Sequence, residues 1–130
     1  MKTLFTLILT SLSISLFAQI EKTYNHGTIF WGTFDSEKQN VIGELEKYAD
    51  ILQLKKVDYD YYIYAIGIKG EKFRFKFSKI RDFEMNNKYI DETGAEYLIH
   101  ERGNTLLMIC LKPLPNMVNK FMMLKIVDIY

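Results

Sequence analysis

The chain of 130 residues has one cysteine, Cys110, and so no intrachain disulfide. Its fold must rest on an apolar core. The two prolines, Pro113 and Pro115, both fall in KPLPN at 112–116. A β-ladder has to stop there, because proline offers no N–H. Only two histidines occur, His26 and His100, and the spacings HxxxH, HExxH and CxxC are absent. A metal site therefore has no ligand set to start from. GxSxG, the P-loop and the dinucleotide glycine pattern are missing as well, so neither a catalytic constellation nor a cofactor is expected. A surplus of charge is also lacking, with Lys+Arg at 17 and Asp+Glu at 16. That balance removes the basic footprint of a nucleic-acid-binding domain.

At the N-terminus stands MKTLFTLILTSLSISLFAQ. Lys2 gives a short positive region, Leu4 to Phe17 an apolar stretch diluted by Ser and Thr, and Ala18 a small residue before Gln19. This is the layout of a secretory signal peptide over residues 1–18. The stretch is too short and too rich in hydroxyls for a comfortable membrane span, which needs about 20 apolar residues. The expectation is an exported protein, periplasmic or extracellular, with one domain over 19–130 and no stable membrane span after cleavage. Removing Lys2 leaves basic and acidic residues equal in number.

GTIFWGTF at 27–34 reads as a first strand. In the following segment Val41, Ile42, Leu45, Tyr48, Ala49 and Leu52 recur at helical spacing. Ser36 and Gln39 form a capping-box pattern, and Lys55 and Lys56 suit a helix end. The spacing predicts a helix over 37–54, with Gly43 as its weak point. From Val57 onward the pattern alternates, with turn signals at Lys69-Gly70, Asn86-Asn87, DETG at 91–94 and Gly103-Asn104. Phe121 to Ile129 is the last strand. The expected fold is α+β: one N-terminal strand and one helix packed on an antiparallel β-meander. If residues 36–54 instead form two strands with a turn at Gly43, the alternative is a small all-β, calycin-like barrel.

KFRFKFSKIR at 72–81 interleaves basic and aromatic residues. Period two along a strand sends Phe73, Phe75 and Phe77 to one face and Lys72, Arg74 and Lys76 to the other. A two-residue turn at Lys69-Gly70 pairs Ile66 with Phe73, Tyr64 with Phe75 and Tyr62 with Phe77, as one buried aromatic face. The same register sets Asp60 opposite Lys79 and Asp58 opposite Arg81. Nucleic-acid binding needs aromatics beside the cations on the exposed side, and this register denies it. Lys72, Arg74 and Lys76 remain free for an anion or an acidic partner. Tyr59 and Tyr61 fall on the less buried face, where exposed tyrosines favour protein contact.

Cys110 and His100 invite comparison with a nucleophile and its base. A two-residue turn at Gly103-Asn104 sets Cys110 opposite Tyr97 and His100 opposite Leu107, with the two side chains on opposite faces. Asp58 and Asp60 share a face, but each has a cation across the hairpin, which suits structure better than acid catalysis. Trp31 and Phe30 could line a ligand cavity, but in a domain this small they read as core. The leading functional expectation is a non-enzymatic binding or interaction module using Tyr59, Tyr61, Lys72, Arg74 and Lys76. Its partner is either a protein or a small ligand. The alternative is a carrier of a small apolar ligand in a β-rich cavity, and the third reading is a small hydrolase with no recognisable motif.

Overall fold

The computed structural model describes residues 21–81 and 87–130. The segment read as a signal peptide lies outside the described residues, as do positions 82–86, which include Asn86 of the Asn86-Asn87 turn signal. The described residues form strands β1 (Glu21–Tyr24), β2 (Thr28–Asp35), β3 (Asn40–Val57), β4 (Asp60–Gly67) and β5 (Lys72–Lys79). β6 (Lys88–Ile90), β7 (Glu96–Arg102), β8 (Thr105–Pro113) and β9 (Lys120–Val127) follow. From β2 to β9 each strand pairs antiparallel with the next, and β9 returns to β2. Eight strands thus close into an up-and-down barrel with no edge strand among them. β1 extends β2 along the same edge of β3, after a break at residues 25–27 where the Ile51 N–H donates to the Gly27 carbonyl at 2.8 Å.

The α+β expectation is overturned: no helix occurs among the described residues, and the barrel of the calycin-like alternative is found. The stretch expected as a helix is β3, an 18-residue strand. Its apolar spacing mimics a helix because its pairing slips three times. Slips against β2 fall between Ile29 and Phe30 and between Trp31 and Thr33, and one against β4 falls between Ile51 and Gln53. Each slip inserts residues into a period of two, and the interrupted alternation looks like a period near 3.6. Opposite Trp31 to Thr33, β3 runs from Glu46 to Ile42. Gly43, at φ 73°, absorbs that bulge. The bulge lays Leu45 over Gly32, where an added Cβ would sit 2.5 Å from a Leu45 methyl. The supposed cap is a hairpin turn: the Asp35 carboxylate accepts the N–H of Glu37 at 2.9 Å and of Lys38 at 3.3 Å. Turns and helix N-caps use the same side-chain-to-amide chemistry.

The β4–β5 hairpin also departs from expectation. Its loop has three residues, Ile68 to Gly70, closed by the Gly67 N–H donating to the Glu71 carbonyl at 2.7 Å. The register becomes Tyr61 with Phe77, Ile63 with Phe75 and Ala65 with Phe73. A shift of one residue exchanges the two faces of β4. Tyr61, Ile63 and Ala65 turn inward, while Tyr62, Tyr64 and Ile66 join Lys76, Arg74 and Lys72 outside. Side-chain volume explains the choice. The expected register would set Tyr62, Tyr64 and Ile66 beside three phenylalanines inside a narrow barrel. The observed one alternates them with Ala65 and Gly67, and the Phe73 ring lies against Gly67, where a Cβ would be 2.8 Å from it. At the β7–β8 hairpin, by contrast, Cys110 pairs with Tyr97 and His100 with Leu107, as the two-residue turn requires.

Ile29, Ala49, Leu54, Leu106, Met108 and Ile126, all 2% exposed or less, pack the floor of the barrel. In an up-and-down meander the β2–β3, β4–β5, β6–β7 and β8–β9 connections share one end, called the upper end below. The β3–β4 and β7–β8 turns lie at the lower end.

Candidate ligand cavity

Above the packed floor lies a cavity of 290 Å³. β2 supplies Trp31, β3 Tyr48, β5 Phe75 and Phe77, and β7 Tyr97. Met122 and Leu124 of β9 and Asp91 of the β6–β7 turn complete the lining. These side chains point inward because each strand presents alternate residues to the interior. The aromatic wall is continuous. Tyr48 stacks on Phe73 at 5.4 Å between ring centroids, Phe73 on Phe75 at 6.0 Å and Phe75 on Phe77 at 6.4 Å. Phe77 then meets the edge of Tyr97 at 5.1 Å. Such offset and edge contacts hold rings in place without filling the centre. β6 has only three residues between the eight of β5 and the seven of β7, so the wall is lowest at Asp91. The Trp31 ring, 42% exposed, also meets solvent.

Asp91 is held by its own turn. Its Oδ1 accepts the Thr93 N–H at 2.9 Å, the Thr93 hydroxyl at 2.7 Å and the Ala95 N–H at 3.0 Å. Burial acts to raise its pKa, but these hydrogen bonds, with one from Tyr97, outweigh it and hold the carboxyl below the usual carboxylate range. Burial, then the neighbouring Cys110 and Asp91, pushes the Tyr97 phenol well above its ordinary range. The cavity therefore offers an apolar aromatic wall, one ionised carboxylate and neutral phenols.

The lower end is different. A smaller cavity of 160 Å³ is lined by Tyr24, Leu54, Tyr61, Leu106 and Ile129, with Lys56 and Glu101. Lys56 pairs with Glu101 at 2.7 Å, and the Tyr61 hydroxyl donates to the same carboxylate at 3.3 Å. Burial and the Glu101 charge push the Tyr61 phenol up. Burial and the adjacent Tyr61 push Tyr89 up to about 12. These groups satisfy one another and plug the end.

The five residues expected to form one surface are divided. Tyr61 is inside the barrel at 2% exposure, which removes it from any surface patch. Tyr59, 63% exposed, sits in the lower β3–β4 turn with the Lys79 ammonium 4.3 Å from its ring centroid. Lys72, Arg74 and Lys76 do share the outer wall, where Arg74 lies 5.1 Å over Tyr64 and Lys76 lies 5.4 Å over Tyr62. The aromatics beside the cations are thus the tyrosines of β4, contrary to the expected separation of faces. Tyr62, Tyr64, Arg74 and Lys76, with Gln53, Lys55 and Glu92, line an outer groove of 360 Å³. Asp60 keeps a structural role by accepting the Lys79 N–H at 2.9 Å.

Cys110 is buried and in no disulfide, and His100 is exposed on the outside beside the Asn87 amide, so they form no dyad. No group of His, Cys, Asp or Glu able to hold a metal occurs among the described residues. Sequence reasoning assigned Trp31 to the core and missed Tyr48, Asp91 and Tyr97 as cavity residues. The one available signal was DETG, which placed Asp91 in a turn but not over an opening. No family model, curated protein or solved structure matches the chain.

Proposed function

We propose that the protein binds and carries a small, largely apolar molecule in the upper half of its barrel, without chemical turnover. A single observation carries this reading: the 290 Å³ aromatic cavity that meets solvent at Asp91 and Trp31. Ligand sites are typically concave and apolar with a few polar groups to fix orientation. The test is titration with the neutral fluorophore N-phenyl-1-naphthylamine. Saturable enhancement at one site is expected, lost in Leu124→Trp, which fills the cavity from β9. Absent enhancement, or binding unchanged in that variant, refutes the carrier.

The proposal includes export through residues 1–18. N-terminal sequencing of protein recovered outside the cytoplasm is expected to begin at Gln19, and an intact Met1 there contradicts it. A second reading is favoured by the outer wall, where Arg74 and Lys76 are braced on tyrosine rings. Bracing suits that face to an acidic protein partner. Reversing Lys72, Arg74 and Lys76 to Glu is expected to abolish partner capture while fluorophore binding persists. Capture that survives the reversal excludes this face.

A further inference from the structure

We propose that the ligand of the cavity is a small organic ammonium ion, its charged nitrogen at Asp91 and its apolar body against the aromatic wall. This deepens the carrier reading and rests on it. Five rings line the cavity, from Trp31, Tyr48, Phe75, Phe77 and Tyr97, and the one charged side chain among the lining residues is Asp91. No lysine or arginine shares that lining.

The Asp91 charge has no ion-pair partner among the described residues. Other carboxylates on the barrel do: Glu96 pairs with Lys88 at 3.2 Å, and Glu101 with Lys56 at 2.7 Å. The donors around Asp91 are all neutral: two from Thr93 and one from Ala95, which converge on Oδ1, and the Tyr97 phenol. A turn of this kind requires a side-chain oxygen acceptor, which asparagine supplies equally well. The turn does not use the full negative charge.

Hydrogen bonding keeps that charge in place at the mouth of an apolar cavity, by holding the carboxyl below its usual range despite burial. A cation is the species that gains from both features. Aromatic faces attract an ammonium through their quadrupoles, and the attraction grows when water is excluded. The carboxylate adds a charge-assisted hydrogen bond. An anionic ligand would meet an unbalanced like charge, and a neutral one would leave the carboxylate unused.

Titration of the protein with 2-phenylethylammonium and with 2-phenylethanol, nearly equal in shape, separates the cases. Binding is read from Trp31, the single tryptophan. The ammonium is expected to bind at least tenfold more tightly than the alcohol. Asp91→Asn is expected to cut the ammonium affinity about tenfold and to leave the alcohol within twofold. Thr93→Val, which weakens the turn but keeps the carboxylate, retains the preference. Equal binding of the two probes, or a preference that survives Asp91→Asn, overturns the ammonium assignment. So does failure of both probes while N-phenyl-1-naphthylamine still binds, and in each of these cases the carrier reading stands. Failure of all three removes the carrier reading as well.

Discussion

Phe75 and Phe77 sit two residues apart on one strand and face the same cavity, yet truncating them should have different consequences. Phe77 is 2% exposed and touches the Tyr97 edge at 5.1 Å on one side and the Phe75 face at 6.4 Å on the other. Phe77→Ala removes a fully buried ring whose neighbours are fixed by barrel closure and cannot collapse inward. A loss of about 3–5 kcal/mol follows for such a site. Against a total stability of about 5–15 kcal/mol this is a large fraction. The variant's thermal midpoint is expected to fall by roughly 10–25 °C for a domain of this size. Phe75 is only partly buried and borders the open volume. Phe75→Ala should therefore cost about half as much, since part of its ring area is already wet. It should weaken fluorophore binding roughly tenfold, because one side of the apolar wall is gone. Urea titrations followed by far-ultraviolet circular dichroism give the two stabilities, and fluorophore titration gives the binding. If Phe75→Ala destabilises as much as Phe77→Ala, the open volume does not lie beside Phe75, and the cavity assignment fails with it.

Two further outcomes test the fold itself. Gly43 has φ 73° with nothing within 4 Å of an added Cβ, so Gly43→Ala meets strain without collision. A loss of about 1–2 kcal/mol in urea denaturation is expected, with Gly43→Asn milder; a stabilising alanine would contradict the bulge. Tyr61, Tyr89 and Tyr97 are all pushed up by burial, Tyr89 to about 12. Their unfolded values lie near 10, so the folded state holds its protons longer. The stability this contributes is whole below about pH 10 and is lost as pH rises from there toward 12. Phenolate absorbance should show these tyrosines ionising together with unfolding. All nine tyrosines titrating as one group near pH 10, in a chain still folded, would refute their burial.

How far the barrel could be read from the sequence depended on local regularity. The β7–β8 hairpin was legible because Gly103-Asn104 is a two-residue turn and the register between the two strands runs unbroken from Arg102 and Thr105 to Tyr97 and Cys110. The β4–β5 hairpin was legible as a hairpin but not in its register. Lys69-Gly70 marked the turn, yet the loop also takes in Ile68, which is 71% exposed. Nothing local forces an isoleucine into solvent. What forces it is the interior, which accepts three phenylalanines only with Ala65 and Gly67 between them. That constraint spans the barrel. β3 failed for a related reason: its bulges are set by the pairing with β2 and β4, and without those partners its spacing reads as helical.

The cavity was illegible for a stronger reason. Phe75 and Phe77 were readable as inward, but an inward aromatic fills a core or lines a space depending on what stands opposite. Here the deciding features are the three-residue length of β6 and the position of its turn, which lower the wall on one side. Asp91 illustrates the point. In the sequence it is the first residue of a turn, a role that uses one oxygen and no charge. Only closure of β5 through β7 around it sets that carboxylate against an aromatic interior. A residue whose role in its turn is complete, and whose charge meets no cation among the described residues, is the one the ammonium proposal puts to use.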